Sequence, residues 1–278
     1  MRAWPGGLPQ GPGRRNRPAL ALLAGLLILV SAACGPRRLS LPSGAGQPFP
    51  GFGAAFDEAT RPCRAIDTMT AELGVSGRVG GQRLRGRVLA GFSRPASLRL
   101  EGLAPFGPPA FILVSSGGRA TLLLPRDRAV LEGEPPEAII DALVGLPLAP
   151  ATLHAILAGC GLVASDATAG LAFGEGWARI EGAAGESTWL RQDGSGHWSV
   201  IAAVANSLRV EYEEREGGVP RRVLLELVDA EPRTELRLRV AGADLNVALG
   251  DEAFTVEIPD KARPITLGEL RRAGPLGR

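Results

Sequence analysis

Lysine is almost missing from this chain: Lys261 is the only one, and arginine supplies every other positive side chain. We read this as the codon bias of a high-GC genome, not as a binding signature. Net charge is only +2 with both signs interspersed, so the electrostatic footprint of a nucleic-acid binder is absent. Cysteine and histidine are equally scarce. Cys34, Cys63 and Cys160 show no CxxC spacing, and His154 and His197 lie far apart, so no zinc-ligand cluster is in view. No GxGxxG or Walker-type loop follows a strand pattern. Neither histidine sits in a nucleophile motif, and Asp193-Gly194-Ser195-Gly196-His197 reads as a hairpin turn rather than a hydrolase fragment. Glu213 and Glu214 are strand neighbours, predicted to point to opposite faces and so unable to share a substrate. Catalysis has little to work with. The expectation is a protein without enzymatic activity, metal or cofactor.

What the chain does hold is glycine and proline, 38 and 23 residues, which favours many turns and hence many strands. At 278 residues it can bury a sizeable core. The start has another character. Arg14, Arg15 and Arg17 precede the apolar run Ala19 to Ala33, too short to span a bilayer comfortably but suited to a signal peptide over 1–33. The run ends Val30-Ser31-Ala32-Ala33-Cys34. Small residues before a cysteine resemble a bacterial lipobox, in which Cys34 is lipidated and becomes the new N-terminus. Ser31 stands where that motif usually has Leu, and ordinary secretory cleavage before Cys34 also fits. Gly35 rather than Asp after the cysteine implies the outer membrane, by the sorting rule of enterobacteria. Residues 34–55 read as a Gly/Pro tether with a reach of roughly 25 Å.

One folded domain, 56–278, is expected beyond it. Thr60 caps a predicted helix with Pro62 in its first turn and Cys63, Ile66, Thr70 and Leu73 as its stripe, stopped by Gly74. Strands follow at Val75–Gly80, Arg83–Phe92, Arg119–Leu124 and Ala129–Leu131. In Arg83–Phe92, Leu84, Gly86, Val88, Ala90 and Phe92 alternate with arginines, the mark of an antiparallel sheet with one wet face. Period changes over 134–161. Pro135-Pro136 starts a helix with Ile139, Ile140 and Leu143 inward, ended by Gly145; Pro150 starts another with Leu153, Ile156 and Leu157, ended by Gly159. The pair caps the mouth of a curved sheet or merely closes one end of it. Strands resume to the end of the domain, the last predicted at Phe254–Ile258. Trp177, Trp189 and Trp198 fall in them, as core packing or cavity lining.

The stretch Leu98–Val114 organises the rest. Leu98 and Leu100 alternate with Arg99 and Glu101, and Ala110–Val114 is a continuous apolar run. Between them Pro105, Pro108 and Pro109 must break the ladder, yet the loop carries Leu103 and Phe106 where a solvated turn has polar residues. Either Phe106 folds back to plug the core, or it is an apolar tip for a membrane or an acyl chain.

The order of helix, strands, Leu98-Arg99-Leu100, Pro105-Phe106-Gly107 and then Glu137 through Gly159 resembles the LolA/LolB superfamily of envelope lipoprotein carriers and receptors. The likeness is best from Leu98 to Gly159, patchy before and faint after Gly161. Phe106 stands where the receptor branch has an aliphatic residue between Pro and Gly, and Gly145-Leu146-Pro147-Leu148 matches a G-x-P-[IL] step. The resemblance implies an unclosed antiparallel β-barrel covered by short helices, mainly β with a helical insert. It implies an acyl-chain cavity, which would be lined by Leu84, Val88, Phe92, Leu98, Leu100, Phe111, Leu113, Ile139, Leu143, Leu153 and Leu157. It also implies a membrane-inserting tip at Phe106 and Leu103. The expected partners are acyl chains of lipoproteins or phospholipids and a LolA-like periplasmic carrier, met by a monomer anchored at the outer membrane. The alternative is an envelope lipoprotein that uses the same fold to sense lipids or bind a protein partner without transport. Cys63 and Cys160, at the ends of two covering helices in an oxidising compartment, are expected as a disulfide or as two buried thiols.

Overall fold

Alternation decides most of this structure, and where it fails the chain is helical. The computed structural model describes residues 38–162 and 167–273; the expected signal-peptide run and Cys34 lie outside the described residues. The unit Leu41–Arg278 holds every element named below. It begins with a two-residue strand, β1 (Gln47–Pro48), and helix α1 (Phe52–Arg64). Both fall in or across the expected tether, which must be shortened accordingly. Phe52, Ala55, Phe56, Ala59 and Cys63 recur at helical spacing, and burial of Ala55, Phe56, Thr60 and Cys63 against the sheet rewards that stripe. Thr60 is not its cap: its hydroxyl donates to the Phe56 carbonyl at 2.6 Å inside the helix. Pro62 sits in the last turns, where it costs one backbone bond. The expected continuation through Thr70 and Leu73 is strand instead. Met69, Ala71 and Leu73 are buried while Thr70 and Glu72 are not, a period of two that pairing on both sides enforces.

Two meanders make one sheet. The first runs β2 (Thr68–Val79), β3 (Gln82–Ser93), β4 (Ser97–Leu103), β5 (Phe111–Ser116), β6 (Arg119–Leu124) and β7 (Ala129–Glu132). Helices α2 (Pro136–Val144) and α3 (Pro150–Ala158) follow. The second meander is β8 (Ala167–Phe173), β9 (Trp177–Gly182), β10 (Ser187–Gln192), β11 (Trp198–Ala205), β12 (Leu208–Glu216), β13 (Val219–Leu227) and β14 (Thr234–Leu245). β14 closes onto β2, with Leu238 opposite Val75 and Leu236 opposite Gly77. A 3₁₀ turn (Asp251–Phe254), β15 (Arg263–Pro264) and α4 (Leu267–Ala273) end the described chain.

The sheet is antiparallel except where β15 joins β7, and its outer strands, β1 and β15, do not pair with each other. This is the unclosed antiparallel architecture with a helical insert. Residues from Phe254 to Ile258 form no strand: Arg99 Nη1 donates to the Ala253 and Thr255 carbonyls at 3.2 and 2.8 Å, holding the segment across β4 instead.

Both insert helices start on proline and stop on a left-handed glycine, Gly145 at φ 66° and Gly159 at φ 88°. α1 packs on β8, β9 and β11, and α3 on β4 and β13. α4 lies on α2, with Leu270 buried and Arg271 paired to Asp141 at 3.2 Å. The helices cover the apolar face of the sheet, and the core lies between them.

Candidate functional site

A small cavity of about 70 Å³ remains between the sheet and the insert. Its floor is Leu73, Val75, Val88, Leu100 and Phe111 from the first meander with Leu225, Leu236 and Leu238 from the second. Its roof is Ile140, Leu143, Val144 and Leu153, with Leu146 and Leu148 from the link between α2 and α3. Every lining residue is apolar. Of the residues expected there, Val88, Leu100, Phe111, Leu143 and Leu153 line it. Leu84, Phe92, Leu98, Leu113, Ile139 and Leu157 are buried in the surrounding core without reaching the space. Nothing in the sequence singled out Leu225, Leu236 and Leu238, because their approach depends on the distant pairing of β14 with β2. Ligand pockets span roughly 300–1,000 Å³, so an acyl chain enters only if α2 and α3 give way.

The helical insert is held differently at its two ends. At its C-terminal end Cys63 and Cys160 are joined in a disulfide, with Cα atoms 5.5 Å apart. Beside it the Gly161 N–H donates to the Tyr212 hydroxyl at 3.2 Å, and burial pushes that phenol far above its ordinary range. Arg215 lies over the Tyr212 ring at 5.5 Å and donates through Nη2 to the Val200 carbonyl at 2.6 Å. Desolvation lowers its pKa. By contrast, the link between α2 and α3 meets the cavity only through Leu146 and Leu148. The end at residues 159–161 is held covalently, whereas α2 and the link are held by apolar packing and the Arg271–Asp141 pair.

His154, on α3, is buried, stacked on Phe92 at 5.5 Å, and its Nε2 has no hydrogen-bond partner. Desolvation first, then the Arg94 charge, lowers its pKa below the usual 6.5, while Asp67 opposes them. A depressed histidine pKa means the fold favours the neutral ring. The stability that depends on neutrality is present above the unfolded pKa and is lost as pH falls below about 6.5. Thermal midpoints measured from pH 7.5 to pH 5 should therefore fall, and His154→Leu should flatten that slope. An equal slope in the variant would assign the acid sensitivity elsewhere.

Phe106 does not plug the core. It is 88% exposed at the top of the β4–β5 loop, and Gly107 turns the chain there at φ 77°. Arg126 Nη2 donates to the Phe106 carbonyl at 2.6 Å, tying the loop to the neighbouring turn. Leu103 is not part of the exposed tip: it ends β4 opposite Arg87 and is half-buried, because the ladder runs one residue further than the prolines suggest. Phe111, which lines the cavity, is the first residue after the loop. Tip and cavity are thus joined by one short segment.

The remaining polar clusters are structural. Asp193 Oδ1 accepts from the Ser195 N–H, the Ser195 hydroxyl and the His197 N–H at 2.8, 2.6 and 3.0 Å. Ser195 Oγ lies 2.9 Å from His197 Nδ1. The serine sits between acid and histidine, whereas a nucleophilic triad needs the histidine in the middle. The bonds lock an exposed hairpin, and they lower the Asp193 pKa. Glu213 and Glu214, expected on opposite faces, both approach Arg222 Nη1, at 3.9 and 3.0 Å. Glu214 has φ 50°, and that left-handed residue breaks the alternation. Trp177 and Trp189 are buried away from the cavity, with Arg191 and Arg179 over their rings at 5.1 and 5.5 Å. Trp198 packs on Phe49. Among the described residues no cluster of three His, Cys, Asp or Glu side chains could hold a metal, and no helix is long and apolar enough to cross a membrane.

No family model matches the sequence, and no curated protein does. Solved structures with a similar fold include a DUF1329 family protein from Desulfovibrio piger, 14% identical, covering 73% of this chain and 96% of that one, TM-score 0.48. A LolA superfamily protein from Nitrosomonas europaea is 10% identical, with the same coverage and a TM-score of 0.48. A putative outer membrane lipoprotein-sorting protein domain from Vibrio parahaemolyticus is 8% identical over 72% of this chain and 96% of that one, TM-score 0.42. Likenesses this remote assign no role to any residue.

Proposed function

We propose that this protein is a non-catalytic envelope lipoprotein that takes acyl chains between its sheet and its α2–α3 lid and passes them to a membrane at the Phe106 tip. The observation that carries this reading is a wholly apolar cavity, roofed by two short helices and connected by one segment to an exposed phenylalanine. In the same reading Cys34 carries the lipid anchor at the outer membrane, and a LolA-like carrier delivers the cargo.

The energies are compatible. Six lid side chains face the cavity, and exposing them costs about 1.5–3 kcal/mol each, roughly 9–18 in all. A sixteen-carbon chain leaving water gains about 0.8 kcal/mol per CH₂, roughly 12 in all. Chain entry is therefore of the same order as the cost of exposing the roof. Native mass spectrometry after mild purification should find a lipid or acylated peptide bound. Incubation with lipid vesicles should load protein purified empty. Protein that stays empty after both treatments would sink the transport reading and leave an envelope binding module without lipid cargo.

A further inference from the structure

At the end of the sheet that carries Phe106, the outer face bears a groove of about 690 Å³ lined by Arg78, Arg83, Arg85, Arg233 and Arg237. The strands alternate in direction, so the Gly80–Gly81 turn, the 104–110 loop and the 125–128 turn all lie at this one end. β14 pairs alongside, with Glu235 opposite Arg78 and Arg237 opposite Ser76. Five guanidinium groups thus share the groove with one carboxylate, Glu235, which already pairs with Arg233 and Arg237. Among the described residues no carboxylate lies within ion-pairing distance of Arg78, Arg83 or Arg85, and all three are exposed. Arg78 stands directly opposite Arg83 across β2 and β3. Like charges so placed destabilise a sheet, and Glu235, the one carboxylate beside them, is shared with Arg233 and Arg237. Ser76 and Gly81 also line the groove, and guanidinium forks match phosphate oxygens in pairs.

We infer that this arginine groove is a docking site for the phosphate headgroups of an anionic phospholipid surface, which it meets together with the Phe106 tip. The inference deepens the membrane part of the proposed function but does not require the cavity to hold cargo. An anionic surface supplies what the groove lacks: negative charge spread across its width. Each arginine near such a surface strengthens binding about fivefold, so three together give on the order of 100-fold, a preference that falls as salt rises.

The test is the ratio of binding to vesicles containing phosphatidylglycerol over vesicles of phosphatidylcholine alone; any lipid anchor acts on both and drops out of the ratio. The native protein should favour the anionic vesicles strongly at low salt. Arg78→Gln, Arg83→Gln and Arg85→Gln together should bring the ratio close to one. The single change Arg83→Glu is the sharper variant. It should raise the thermal midpoint by relieving the Arg78–Arg83 opposition, while lowering the anionic preference at least fivefold. A ratio near one for the native protein, or an unchanged ratio in both variants, would overturn the inference. So would full competition by millimolar inorganic phosphate, which would mark a site for a soluble anion. Loss of the ratio with cargo still bound by native mass spectrometry separates failure here from failure of the cavity reading.

Discussion

Removing the Cys63–Cys160 bond is expected to lower the thermal midpoint by roughly 5–15 °C. The bond joins residues 97 apart, and cross-linking a loop of that size withholds up to about 4–5 kcal/mol of chain entropy from the unfolded state. Native disulfides of this kind return about 2–5 kcal/mol, and each kcal/mol moves the midpoint of a domain this large by about 2–4 °C. Cys63→Ala with Cys160→Ala, or reductant on the native protein, should show the loss by calorimetry. A second effect follows from position. The bond fixes α1 to the end of α3 at the point about which the lid would turn, so the reduced protein should take up vesicle lipid faster even as it melts earlier. Equal midpoints with and without reductant would show that Arg215 and Tyr212 alone hold that end. Equal thiol titres of denatured protein with and without reductant would show that the bond does not form.

Phe106→Glu should leave the melting midpoint within about 2 °C of native and cut vesicle binding at least tenfold. With 88% of the side chain exposed, the fold has almost no stake in it, and surface changes of this kind stay within about 0.5 kcal/mol. A membrane has a large one: burying a phenylalanine gains about 1.5–3 kcal/mol, and a carboxylate in its place is repelled by an anionic surface. Measurement in a background where Cys34→Ser removes any anchor isolates the tip. Pro105 and Pro108 stiffen the loop, so little ordering entropy opposes insertion. A collapse of the melting point, or unchanged vesicle binding in the variant, would dispose of the tip.

Much of this could be read from neighbours in the chain. The period of two in Arg83–Phe92, the Pro136 start and Gly145 stop of α2, and the same signals at Pro150 and Gly159 for α3 are local signals, and the structure follows them. The prolines around Phe106 forbid a ladder, which is why the loop leaves the sheet, though they did not decide whether its phenylalanine turned inward. The failures have another cause. Thr70 and Leu73 satisfied a helical stripe drawn from Cys63 and Ile66, yet pairing with β3 and β14 made their segment a strand. Leu225, Leu236 and Leu238 reach the cavity only because β14 crosses back to β2. The arginines looked like codon bias in sequence; five of them meet in one groove because β14, β2 and β3 are adjacent and in a particular register. Periodicity depends on residues a few positions apart and is written in the chain. Register between strands some 160 positions apart depends on which distant apolar faces bury each other best, and only the folded molecule settles that.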